Sequence, residues 1–299
     1  MSVNWQGVIP AITTPFTAQD QVDHAFLAQH ARELAAAGCV GIVPLGSLGE
    51  GATLNVDEKE AVLQTLVRAD AGGLPVIPGI AALSTAQAVN LARTAERVGC
   101  SGLMVLPPYV YSSDWAEMKA HVAAVIGATR LPCMLYNNPI AYKTDFLPAQ
   151  VAELAREHAN LVAIKESSGD VRRVTALKAE LGTRLHILVG LDDAIVEGIA
   201  AGATGWIAGL VNALPRESVR LFELARAGRW DEAAALYAWF LPLLRMDTVP
   251  KFVQLIKLVQ QHVNLGHERV RAPRQVLIGA ERVAAEATIA HALATRPKA

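Results

Sequence analysis

This sequence predicts an α/β protein, a TIM-type (β/α)8 barrel with a C-terminal helical extension, and three observations predict it. Eight short apolar runs recur along the chain, each nearly continuous rather than alternating. Such runs mark strands buried on both faces, as in a parallel sheet covered by helices. Amphipathic stretches of helical period separate them. After the eighth run the strand signal stops and helical stretches alone continue. Eight strand–helix units within about 220 residues is the usual size of such a barrel. An open doubly wound sheet is the alternative, but no segment carries a dinucleotide fingerprint. The barrel is expected over residues 1–222 and the helical region over 223–299.

The expected strands begin at Gly7 (GVIPAIT), Val40 (VGIVPLG), Pro75 (PVIPGI), Gly102 (GLMVLPP), Pro132 (PCMLYNN), Leu161 (LVAIKES), His186 (HILVGL) and Thr204 (TGWIAGL). The first helix, AFLAQHARELAAAG, stops at Gly38, a residue suited to the position after a helix. Asn55 with Glu58 resembles a capping box, and Ser84 with Gln87 repeats the spacing. SDWAEMKAHVAAVIG, PAQVAELAREH and DVRRVTALKAELG supply further helices. Beyond the barrel, VRLFELARAG, RWDEAAALYAWFLPLLRMD, VPKFVQLIKLVQQHV and PRQVLIGAERVAAEATIAHALA are read as helices throughout.

With 52% hydrophobic residues in 299, the chain can bury a sizeable core. A formal net charge of −1 without a basic stretch argues against nucleic acid and anionic membrane as partners. No apolar run approaches the roughly 18 residues of a membrane helix. Residues 1–16 lack the pattern of a secretory signal, so a cytoplasmic protein is expected. Cys39, Cys100 and Cys133 are sparse and unpaired in spacing, as reduced core thiols would be. The histidines are scattered. His24, His30 and His121 read as surface or helix-packing residues, and no metal site is expected.

In a (β/α)8 barrel the chemistry lies at the C-terminal ends of the strands. Lys165 ends the apolar run 161–164 and precedes Glu166-Ser167-Ser168-Gly169-Asp170. A lysine so placed must pair, neutralise or react. Burial disfavours a charged ammonium, and a neutral amine attacks carbonyls and imines. The plainer reading is an ion pair that holds a loop. Gly46-Ser47-Leu48-Gly49-Glu50-Gly51 can aim successive backbone N–H groups at an anion such as a carboxylate, or be an ordinary strand-to-helix turn. Tyr136, before Asn137-Asn138-Pro139, is either a core phenol or a proton shuttle beside the amine. The seventh strand ends in Gly190-Leu191-Asp192-Asp193, and the fourth in Pro107-Pro108-Tyr109-Val110-Tyr111.

These motifs, Gly-Ser-Leu-Gly-Glu, Tyr-Asn-Asn-Pro and Ile-Lys-Glu-Ser-Ser-Gly-Asp, in this order, resemble the dihydrodipicolinate synthase/N-acetylneuraminate lyase family of lysine-dependent enzymes. The resemblance spans essentially the whole chain. It implies Lys165 as the Schiff-base residue, Tyr136 as the proton-transfer phenol, and the Ser47 and Leu48 amides as the carboxylate cradle. Gly46, Ser167, Gly190 and Ile207 complete the expected substrate-binding set. It also implies a homotetramer, a small keto or imino acid as substrate, and no cofactor beyond the covalent imine on Lys165. The synthase pattern has a second hydroxyl residue at Leu48, a tyrosine at Val110 and an arginine at Ala141. Those departures argue against dihydrodipicolinate synthesis, and Leu48 and Ala141 equally weaken a sialic acid lyase reading. The combination with Tyr142 and Arg172-Arg173 is most similar to the 1-pyrroline-4-hydroxy-2-carboxylate deaminase branch of hydroxyproline degradation. The product would be 2,5-dioxopentanoate and ammonia. A dehydratase or aldolase of 2-keto-3-deoxy sugar acids, and a barrel that binds keto acids without turnover, are the other readings.

Overall fold

A computed structural model describes residues 2–68, 72–108 and 114–297. Tyr109, Val110 and Tyr111 of the fourth strand end lie outside the described residues. Seven parallel strands form one curled sheet: β1 (Val8–Pro10), β2 (Gly79–Ile80), β3 (Leu103–Val105), β4 (Cys133–Asn137), β5 (Leu161–Glu166), β6 (His186–Val189) and β7 (Gly205–Ala208). Their order is β1-β7-β6-β5-β4-β3-β2. β3, β4 and β7 are wholly buried, as continuous apolar runs require.

The expected strand at 40–46 is present as a bridge. Ala11 pairs with Val43 and Ile42 with Val76, both parallel. Val43 N–H donates to Pro10 O at 2.8 Å, and Gly79 N–H to Pro44 O at 2.8 Å. This segment therefore joins β1 to β2 and closes a barrel of eight staves. Its ladder is broken because Pro44, Pro75 and Pro78 have no N–H to donate.

Helices cover the sheet between strands: α1 (His24–Ala36), α2 (Val56–Val67), α3 (Thr85–Val98), α4 (Trp115–Gly127), α5 (Pro139–Tyr142), α6 (Pro148–Glu157), α7 (Arg172–Leu181) and α8 (Ile195–Ala200). The box at Asn55 and Glu58 is made in both directions, each bond 2.9 Å. At Ser84 only the hydroxyl half forms, accepting from Gln87 N–H at 3.3 Å. His30 and His121 are buried packing residues against Asn212 and Thr85. All three cysteines are free and buried, and burial pushes each thiol up to about 12.

After β7 come α9 (Pro215–Arg226), α10 (Trp230–Leu244), α11 (Phe252–His262) and α12 (Gly279–Ala294). α12 starts later than the sequence pattern suggests. Residues 273–278 are not helical, and Gly279 turns the chain with φ of 58°. Among the described residues, no helix is long and apolar enough to cross a membrane.

α11 is amphipathic, yet three of its polar side chains, Gln254, Lys257 and Gln260, are buried. Lys257 Nζ donates to Glu50 Oε1 at 2.5 Å, Thr14 O at 2.8 Å and Arg269 O at 2.7 Å. Glu50 is fully buried and also accepts from Arg271 N–H at 3.0 Å. An unpaired buried carboxylate is far costlier than a paired one. Lys257→Ala is therefore expected to lower stability by about 3 kcal/mol. A Glu50→Leu/Lys257→Met pair should recover most of that loss, both read from urea unfolding midpoints.

Candidate active site

Lys165 lies near the C-terminal end of β5, directly across the ladder from Tyr136 on β4. Its side chain is 7% exposed, and Nζ stands 4.1 Å from the centre of the Tyr136 ring. The ring face is electron-rich and attracts a cation without taking its proton. The neighbouring Glu166 points the other way, as alternation along a strand requires. It accepts from Ser168 N–H at 2.6 Å and Asn137 Nδ2 at 3.1 Å. Burial raises the Glu166 carboxyl above its ordinary range, partly offset by those donors and by Arg173. Arg173 in turn grips Asp145 through two bonds of 2.6 Å. The Lys-Glu-Ser-Ser-Gly-Asp-x-Arg-Arg motif thus fixes the strand end that carries the amine.

A cavity of about 480 Å³ opens at this end of the barrel. Gly46, Ser47, Leu48, Tyr136, Lys165, Gly190 and Ile207 all line it. Of the expected site residues only Ser167 does not. It is buried against Gly190, and its Oγ has no partner among the described residues. Its position follows from the close approach of the strand ends. A Cβ on Gly190 would come 2.8 Å from Lys165 Cγ and would also strike Ser167 Oγ.

The Gly46–Gly51 loop is held at both ends in left-handed backbone, at Leu45 (φ 63°) and Glu50 (φ 52°). Non-glycine residues there cost of order 1–3 kcal/mol and persist only where surroundings enforce them. The Lys257 network does this at Glu50. Gly79 lets β2 pass close beneath, since a Cβ there would lie 3.1 Å from Gly46 N. Among the described residues, none accepts from the N–H groups of Ser47 or Leu48. The arrangement suits an incoming carboxylate.

Tyr136 Oη accepts from Asn138 Nδ2 at 3.0 Å. The Ser47 hydroxyl bonds to that of Tyr142, whose ring packs edge-on to Tyr136 with centres 5.6 Å apart. Two acidic groups add to this set. Asp192 accepts from Trp206 Nε1 at 2.9 Å, Gly209 N–H at 3.0 Å and Leu210 N–H at 2.7 Å. Burial pushes its carboxyl up to about 6, against the pull of those donors and of Lys165. Asp247 lines the cavity. Burial and the Asp192 charge raise it well above the carboxylate range. Asp192 was visible as a strand-end residue. Asp247 was not, because it comes from the turn after α10, where no strand end marks it. Arg274 and Thr248 line the cavity from the same C-terminal region and carried no sequence signal either.

An amine over a phenol ring, in a cavity at the strand ends of a closed barrel, places the chain among (β/α)8 proteins with a lysine at the mouth, where enzymes of this fold carry their chemistry. The chain belongs to the dihydrodipicolinate synthetase family, whose model matches residues 4–292. It is 31% identical to a 4-hydroxy-tetrahydrodipicolinate synthase of Agrobacterium fabrum, over 96% of this chain and 98% of the relative. The corresponding protein of Xanthomonas axonopodis pv. citri is 35% identical over 96% and 95%. The solved 4-hydroxy-tetrahydrodipicolinate synthase of Methylacidiphilum fumariolicum SolV superposes with a TM-score of 0.92 at 27% identity, covering 97% of this chain and 96% of that one.

Gly190→Ala should push Lys165 off its position over Tyr136. A displacement near 1 Å can cost about 100-fold in rate. The expected outcome is slowing of that order in borohydride-trapped adduct formation with pyruvate, followed by mass spectrometry.

Proposed function

We propose that the protein is a Schiff-base deaminase of 1-pyrroline-4-hydroxy-2-carboxylate, giving 2,5-dioxopentanoate and ammonia. The observation that carries this reading is the Lys165 amine in a compact cavity whose walls at Leu48, Ala141 and Ile207 are apolar. A five-carbon substrate with one carboxylate suits that space. The N–H groups of Ser47 and Leu48 take the carboxylate. Lys165 attacks C2 of the cyclic imine, and the ring nitrogen leaves as an amine, so the ring opens on an enzyme-bound imine. The protonated imine withdraws electrons and acidifies C3. Tyr136, with the Ser47–Tyr142 hydroxyl pair, serves the C3 proton. The enamine expels the C4 hydroxyl as water. Proton movement from C5 to C3 leaves a C4–C5 enamine, which becomes an imine. Hydrolysis at C5 releases ammonia, and hydrolysis at C2 frees Lys165. One water is lost and two are taken up, so substrate plus one water gives product plus ammonia. The electron sink is the Lys165 imine itself, and the scheme calls for no separate cofactor.

The names of the relatives favour a second reading, synthesis of 4-hydroxy-tetrahydrodipicolinate. Ala141 weighs against it, since it lines the cavity where the synthase pattern has an arginine. Product analysis separates the readings. Ammonia and a dioxo acid from the hydroxylated pyrroline support the deaminase. A cyclic product from pyruvate and aspartate semialdehyde supports the synthase. A dioxo acid formed only from 2-keto-3-deoxy sugar acids, without ammonia, supports a dehydratase. Lys165→Ala should abolish both ammonia release and the borohydride-trapped mass adduct. Release at the wild-type rate would rule out the assigned role of Lys165.

A further inference from the structure

Asp247 reaches the cavity from a short turn, Arg245–Asp247, that follows α10. Its carboxyl packs on Gly209, where a Cβ would fall 2.7 Å from Asp247 Cγ. The N–H of the same Gly209 donates to both oxygens of Asp192, at 3.0 and 3.1 Å. One glycine therefore separates two carboxyl groups. They are not equivalent. Asp192 is fully buried and takes the indole N–H of Trp206 and the N–H groups of Gly209 and Leu210. Those donors stabilise a charge on Asp192. Two carboxylates this close resist ionising together, so the proton stays on the partner with fewer donors. That partner is Asp247, the one facing the cavity. The titratable groups that bear on Asp247 are Asp192 and Asp193 from the turn after β6, and Lys165 from β5. Arg245 of its own turn lies 3.9 Å from Asp193.

We propose that Asp247 is a catalytic acid of this cavity and gives its proton to the hydroxyl that departs from C4 of the Lys165-bound substrate. This rests on the deaminase reading. In the step, the enamine nitrogen pair re-forms the C2 iminium, and the C2–C3 pair becomes a C3–C4 double bond. The C4–O bond breaks with its electrons on oxygen, which takes the Asp247 proton and leaves as water. Asp247 becomes a carboxylate and is reset by the proton that C5 gives up next, while Tyr136 returns to C3 the proton it removed, so the net movement is from C5 to C3. A hydroxide is a poor leaving group, so an acid at this point is worth roughly 100-fold or more. The lost relay positions of the synthase pattern do not supply one.

Asp247→Asn tests the assignment. It should still form the borohydride-trapped adduct with pyruvate, which has no hydroxyl to expel. It should lose about 100-fold or more in kcat for ammonia release from the 4-hydroxypyrroline substrate. With 4-chloro-2-oxopentanoate, chloride leaves without a proton, and the variant should stay within about fivefold of wild type. Asp247→Glu should recover part of the loss. The acid form is the active one, so wild-type kcat should fall on the alkaline side as the Asp247 proton is lost. The Asn variant should lack that limb. Equal losses on hydroxy and chloro substrates would make Asp247 a packing residue and overturn the proposal. So would ammonia release within about threefold of wild type. If the wild-type protein forms the pyruvate adduct but releases nothing from the hydroxypyrroline, the deaminase reading fails, and this inference falls with it.

Discussion

The buried Glu50–Lys257 pair is the constraint on which the rest of the mouth depends. Glu50 closes the Gly46–Gly51 loop in left-handed backbone, and Lys257 reaches it from α11, 207 residues later. Two charges out of water are tolerated only when their remaining hydrogen-bonding capacity is used. Here Thr14 O, Arg269 O and Arg271 N–H use it. Burial alone would drive Lys257 toward its neutral form, and the Glu50 charge opposes that. The loop cannot relax without exposing or unpairing a charge. The same contact makes the C-terminal helices part of the site. Thr248, Phe252 and Arg274 line the cavity that the barrel opens.

Inside that frame the electrostatics divide by depth. Lys165 has a ring face on one side, and its charge acts on the carboxyls of Asp192 and Asp247. A carboxylate in direct contact would hold the amine as an ammonium. A ring face attracts a cation more weakly than a carboxylate does. Asp192 is stabilised chiefly by backbone and indole donors, whereas the Lys165 charge is the main influence opposing burial at Asp247.

Most of this was legible in the sequence where local pattern and function coincide. The strand-end rule located Lys165, Tyr136, Ser47 and Gly190 because each ends an apolar run. The second stave was legible as a run, yet its prolines leave it without a regular ladder, which apolarity alone does not reveal. Ser167 follows Lys165 in a contiguous motif, yet it does not line the cavity. Only the approach of Gly190 to Lys165 shows that Ser167 is covered. Asp247 and Arg274 were invisible for a different reason. They belong to turns between C-terminal helices, and their place at the mouth follows from tertiary packing that begins at Lys257. A polar residue in a helical face signals nothing until its partner across the fold is known.

The hydroxyl chemistry shows how a short motif can rebuild what a substitution removes. Leu48 cannot carry a proton, so a relay passing through that position is broken. In Tyr136-Asn137-Asn138-Pro139-Ile140-Ala141-Tyr142, Pro139 begins a helical turn and Asn138 caps it, its Oδ1 accepting from Ala141 N–H at 3.0 Å. Tyr142 N–H then donates to Asn138 O at 3.0 Å. One turn therefore brings Tyr142 back over Tyr136 and onto the Ser47 hydroxyl. The result is a phenol–hydroxyl pair supplied by this chain itself, beside the cradle and beside the phenol that faces Lys165. Pro139 presets φ for the turn and needs no donor there, so the geometry is encoded in seven consecutive residues. Under the proposed deaminase reading, the C3 proton would move through these local groups, while departure of the C4 hydroxyl would fall to a different group at a different wall. Separate proton carriers for separate carbons are what a substrate that loses both a hydrogen and a hydroxyl requires.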